Sequence, residues 1–219
     1  MRHPAYLEIG PSGPTLACVF ALPGVSLRAR RADEALAGLS LAVAAELARL
    51  RAAGRPVAAA SESIEITEAE RVTVTSDVER GATSALFKYE LRPTRDEDVA
   101  LALDRMALAR EELLQGLGGV EPEPGLIADA VRSLADGEWW LLSRLGTRPF
   151  AALPIEPLAR FEVVRTQTIE RFANLLPGDR ERHAVFNTEQ WTTRKVLRRL
   201  ACLSRDTVLS IAAPAAPRG

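Results

Sequence analysis

The feature that most constrains this chain is a change of pattern at Leu91-Arg92-Pro93-Thr94. Before it, short β-prone runs surround one helical stretch. After it, from 96 to 213, apolar residues recur only at helical spacing, interrupted by Pro and Gly. A strand repeats every two residues and a helix every 3.6, so one hydrophobic pattern cannot serve both. The chain therefore reads as two modules of an α+β protein, 1–92 and 96–213, with a frayed Pro-rich tail at 214–219. Its 219 residues suffice for two small cores.

In the first module Tyr6 to Ile9 reads as a strand, Pro11-Ser12-Gly13-Pro14 as a turn and Thr15 to Ala21 as the second arm of a hairpin. Leu22-Pro23-Gly24 turns the chain into a third strand, Val25 to Ala29. Asp33 is placed to cap a helix that runs to Ala53 and stops at Gly54 and Pro56. Leu36, Leu39, Val43, Leu47 and Leu50 form one stripe on it, suited to covering a sheet. Ile64 to Thr67, Arg71 to Thr75 and Ala85 to Leu91 are β-prone and predict further strands, the last most clearly.

The passage YLEIGPSGPTLACVFALPGVSLRARRADEALAGL combines that hairpin, the Leu22-Pro23-Gly24 turn and the Asp33-Glu34-Ala35-Leu36 helix start. It resembles the HicB-like fold, a small β-β-β-α-β unit related to part of the ribonuclease H fold. The resemblance implies a module that neutralises a toxin partner and is often followed by a DNA-binding segment. Here a helical bundle follows instead. Ribonuclease H chemistry needs several carboxylates around its metal ions. Glu8 is the one acidic residue on the first predicted strand, and it reads as a solvated strand residue.

Four helices are predicted in the second module. Asp96 to Gln115 carries Val99, Leu103, Met106, Leu113 and Leu117 on a buried face, and Leu126 to Leu145 follows. Pro157 to Leu176 has Pro in its first turn and ends at Pro177-Gly178. The last, Thr188 to Ala213, has Asn187 as its N-cap.

Two of these stretches, GLIADAVRSLADGEWWLLSRLG and NTEQWTTRKVLRRLACLSRDTVLSIAA, resemble the second and fourth helices of the DinB-like four-helix bundles. Glu138-Trp139-Trp140 with Arg144-Leu145 matches that family's Glu-aromatic-aromatic and Arg-Leu pattern, and Trp191 to Leu197 matches the start of its last helix. The resemblance covers roughly 96–212 and implies an up-down bundle that pairs into a homodimer. It also implies a thiol-dependent transferase or isomerase with a three-His metal site. Here the positions for that site hold Ser133, Arg199, Leu203 and Thr207.

The chain has two histidines, His3 and His183, and a catalytic zinc site takes three protein ligands. The expectation is a degenerate metal site with no cofactor and no catalytic residue. Arg199 would pair with Glu138 or Asp136 inside the bundle, or snorkel to the surface. The alternative is an anion pocket of Arg199, Ser133 and Thr207, with Glu138, Trp139 and Trp140 as lining. Trp139 and Trp140 point about 100° apart, so at most one faces a given pocket.

Arg194, Lys195, Arg198, Arg199 and Arg205 wrap around the last helix and read as a solvated basic surface rather than a nucleic-acid stripe. Cys18 and Cys202 read as small core residues. The net charge of −1 gives no field toward nucleic acid or membrane, and no apolar run spans a bilayer, so a cytoplasmic protein is expected. The preferred function is non-enzymatic binding of a protein partner or a small anionic ligand. The alternatives are a metal-independent small-molecule or thiol transferase and an antitoxin-like partner of a small ribonuclease toxin.

Overall fold

The computed structural model describes residues 1–57, 63–79, 83–146 and 152–212. It is a mixed α+β protein that divides into two compact units, Met1–Leu91 and Arg92–Gly219. The predicted tail at 214–219 lies outside the described residues. No helix among the described residues is long and apolar enough to cross a membrane.

The first unit holds β1 (Arg2–Ile9), β2 (Thr15–Cys18), β3 (Ser26–Ala29), α1 (Ala32–Ala52) and β4 (Glu65–Thr73). The sheet order is β3-β2-β1-β4, with β1 antiparallel to β2 and parallel to β4. A parallel neighbour needs a long crossover, and the stretch containing α1 lies between β3 and β4 in the chain. Leu39, Val43, Leu47 and Leu50 are buried as the stripe requires, with Ala35 rather than Leu36 completing it. Gly38 lets α1 approach β3, since a Cβ there would stand 2.4 Å from Leu27. Helix α1 begins after Arg31 rather than at an Asp33 cap; Asp33 sits in the first turn and accepts two bonds from the Arg31 side chain.

Two expected strands, Ile64 to Thr67 and Arg71 to Thr75, are one continuous β4. Ala85 to Leu91 is not a strand: it is extended chain ending in a 3₁₀ turn, Lys88–Leu91. Its backbone donors are taken by carboxylates instead of a sheet ladder. Ser84 and Ala85 N–H groups donate to Glu8, Phe87 N–H to Glu90 and Lys88 N–H to Glu70. Glu8 is consequently 1% exposed, which corrects its reading as solvated. On its face of the sheet Tyr6 and Phe20 stack at 4.0 Å, with Phe87 edge-on to both.

The second unit holds α2 (Asp96–Leu117), α3 (Leu126–Ser143), α4 (Pro157–Ala173), a short α5 (Pro177–Arg180), β5 (His183–Phe186), β6 (Glu189–Thr192) and α6 (Thr193–Ala212). Helix α3 packs along α4 and α6, and α6 along α2, whereas α2 and α4 barely touch. Two apolar clusters fill the interior, one around Met106, Leu142 and Trp191, the other around Leu134, Phe161 and Val164. Trp139 and Leu203 pack against both.

The β5–β6 hairpin replaces the predicted loop and first turn of the last helix. Asn187 is not an N-cap: it and Thr188 form the hairpin turn with φ of 49° and 71°. Positive φ at both central residues is the type I′ geometry that a two-residue hairpin favours. Asn tolerates it and caps helices for one reason, a short polar side chain that bonds nearby backbone.

Candidate functional site

The seven residues singled out from the sequence lie on α3 and α6 and make separate contacts. Leu203 closes the seam between the two helices, because a Cβ on Gly137 would lie 2.9 Å from its Cδ2. Ser133 is exposed one turn from Gly137. Thr207 is buried, and its hydroxyl donates to the Leu203 carbonyl of its own helix. Arg199 stands eight residues from Thr207, about 12 Å along the helix axis, so no small anion bridges the two. Among the described residues no three His, Cys, Asp or Glu side chains come together to hold a metal ion.

Glu138 is fully buried and takes Arg165, not Arg199, as its partner, at 3.1 and 2.9 Å. Arg165 also donates to the Met106 carbonyl and the Ser204 hydroxyl, so α2, α3, α4 and α6 meet at one buried guanidinium. Asp136 pairs with Arg160. The bonds to the Met106 carbonyl and the Ser204 hydroxyl offset part of the desolvation that an ion pair suffers in a buried core, while Glu138 Oε1 stays buried without a partner.

Arg199 instead faces the hairpin, where its Nη1 is 3.5 Å from Glu189. Around it the ends of α3 and α6 and the hairpin build a cluster of cations and aromatic rings. The guanidinium carbon of Arg199 lies 5.3 Å from the Trp140 ring and 4.9 Å from Trp191. Lys195 places its ammonium 4.5 Å from Trp191 and 2.8 Å from Glu189. Trp140 and Trp191 meet edge to face at 5.3 Å. Trp139 turns inward to the core while Trp140 stays 42% exposed, the divergence that adjacent helix positions impose.

Arg144 completes the cluster. It follows Trp140 by one helical turn and lies 4.3 Å from that ring and 4.8 Å from Phe186 of β5. Its side chain makes no hydrogen bond or ion pair with the described residues, and its Nε is buried without an acceptor. Glu189 serves Lys195 and Arg199 and leaves Arg144 uncompensated. A buried donor with no acceptor costs about 1–3 kcal/mol, a penalty that a bound anion removes.

The hairpin is held in place from below. The Thr193 hydroxyl donates to the Asp179 carbonyl at 2.5 Å, and the Asp179 carboxylate accepts two bonds from Arg171. That guanidinium holds the Asp179 carboxyl below its ordinary value and is itself raised in return.

The cations of α6 are not the solvated surface expected of them. Arg194, Lys195 and Arg198 are buried, Arg194 against Asp98 and the Arg92 and Pro93 carbonyls, and Arg205 pairs with Glu112. They wrap around the helix because they brace different neighbours. Cys202 is half-buried and Cys18 buried, both as free thiols.

The sequence names Arg144 only within the Arg-Leu pattern and not as a site residue, although the Trp140–Arg144 spacing brings an aromatic ring under a guanidinium on one helix face. Phe186 carries no such signal in the sequence, and Trp191, expected at the start of the last helix, lies instead on β6 of the hairpin. Comparison with family models, curated proteins and solved structures gives no match for this chain.

Proposed function

We propose that this is a non-enzymatic binding protein whose second unit receives a small anionic ligand, a phosphate or carboxylate, at Arg144. The single observation that carries the reading is the Arg144 guanidinium fixed between Trp140 and Phe186 with no acceptor for its donors among the described residues. Stacking on two rings pre-organises the planar fork, so little side-chain entropy remains to be lost when an anion docks in bidentate fashion. Arg199 and Lys195 add positive potential nearby.

In this reading the second unit is a DinB-like bundle whose metal-ligand positions have become packing and ion-pair residues. Leu203 against Gly137 and Arg199 against Glu189 support it. The first unit is a HicB-like module, supported by its sheet order and by β4 running parallel to β1 after α1.

The test is titration of the full chain with inorganic phosphate, pyrophosphate and citrate at constant ionic strength, followed by tryptophan fluorescence. Trp140 and Trp191 lie in the cluster, so a saturable change is expected, weakened at least about tenfold in Arg144→Gln. The two phosphates against citrate decide between the anion classes. Equal responses of the parent and Arg144→Gln would refute the assignment.

A further inference from the structure

The seam between α2 and α4 is open where the other seams of the bundle are packed. A cleft of about 250 Å³ lies there. On α2 its wall is Leu103, Met106 and Ala107, and on α4 it is Thr166 and Ile169, spaced on each helix to face across the gap. Arg110 spans one end of the seam with a bidentate bond to Glu162, and Arg165 contributes to the lining from the bundle centre.

The hydrogen-bond inventory of that buried centre is incomplete. A guanidinium has five N–H donors. In Arg165 the Nε–H, both Nη2–H groups and one Nη1–H are taken by Glu138, Ser204 and the Met106 carbonyl. One Nη1–H has no acceptor among the described residues, on a side chain only 2% exposed. Behind it Glu138 Oε1 is buried and likewise unpartnered.

From this we infer that the α2–α4 cleft is a second binding site, for a short uncharged amphiphile whose hydroxyl or carbonyl oxygen accepts the remaining Arg165 N–H. The walls are apolar, so most of the ligand is an aliphatic chain. Both lining arginines already hold a carboxylate, Arg110 on Glu162 and Arg165 on Glu138. An anionic head therefore finds no spare cation among the lining residues. A cationic head meets the Arg165 donor with no acceptor to offer. At the ~30 Å³ that a water molecule occupies in the liquid, the cleft holds about eight non-hydrogen atoms, the size of a six-carbon alcohol. This ligand differs in charge and place from the anion assigned to Arg144, and the two sites stand or fall separately.

The experiment is ligand-observed saturation-transfer NMR on the full chain with 1-hexanol, hexanoate and hexylammonium as probes. Hexanol is expected to bind saturably, with half-saturation at about 1 mM for a ligand this small. Ala107 is exposed on the cleft wall, so Ala107→Phe fills the space without touching the core, and it is expected to weaken hexanol at least about tenfold. Arg144→Gln is expected to leave hexanol binding unchanged. Absence of saturable hexanol binding overturns the site, and undiminished binding to Ala107→Phe overturns its location. Tighter binding of hexanoate or hexylammonium than of hexanol overturns the charge argument.

Discussion

Replacing Arg165 by Met would leave the Glu138 carboxylate at 0% exposure with no cation, and it would also strip the Met106 carbonyl and the Ser204 hydroxyl of their donor. Four hydrogen bonds disappear at once, two of them to one carboxylate oxygen. These bonds share a donor group and a partner, so their separate values of about 1.5–3 kcal/mol do not add. The governing term is the uncompensated buried charge, which sets the loss at about 3–5 kcal/mol. The double variant Arg165→Met/Glu138→Leu removes both charges from an apolar surrounding and is expected within about 1 kcal/mol of the parent, or above it. The cycle then returns a coupling of at least about 2 kcal/mol.

Equilibrium urea unfolding read by tryptophan fluorescence suits the question. Trp139, Trp140 and Trp191 are the only tryptophans and all lie in the second unit, so the signal reports that unit alone. A single-variant loss below about 1 kcal/mol would mean that water reaches Glu138, and additive losses in the double variant would mean that the pair does not act as a unit. Either result refutes the account of the bundle centre.

Thr188→Gly should stabilise the second unit by about 0.5–1 kcal/mol. A β-branched residue at φ 71° carries about 1–2 kcal/mol of strain, of which the added flexibility of Gly in the unfolded chain takes back part. A midpoint in urea that fails to rise would contradict the strain. Asp179 is the acid-sensitive point of the hairpin anchor. Its folded pKa lies below the ordinary 3.8 because Arg171 is bonded to it, so its contribution is complete above that value and disappears as pH falls through the depressed one. Asp179→Asn should therefore lower stability near neutral pH while flattening the loss between about pH 5 and about pH 2, as measured by urea midpoints across that range. An unchanged pH profile would place the acid sensitivity elsewhere.

Much of the architecture was legible because it is written in local period. The stripe Leu39, Val43, Leu47 and Leu50 announced α1, the punctuation at Leu91 to Thr94 coincides with the division into two units, and the four long helices follow their 3.6-residue repeats. The hairpin at 183–192 was not legible, since Asn before an apolar run is equally at home at a helix N-cap and in a left-handed turn. Nor was the chain from Ala85 to Leu91, whose β-prone residues lose their ladder to the carboxylates of Glu8, Glu90 and Glu70.

The site follows the same division. Sequence alone determined that only His3 and His183 are present as imidazole ligands, and that Trp139 and Trp140 must face different ways. Only the tertiary structure decided that Glu138 belongs to Arg165, that Arg199 stands beside Glu189 and that Arg144 has no carboxylate partner among the described residues. Periodicity tells a side chain which face of its own element it occupies. The partner of a buried charge is chosen by desolvation and geometry among residues far away in the chain, 27 positions for Arg165 and 96 for Arg194, and no local pattern records that choice.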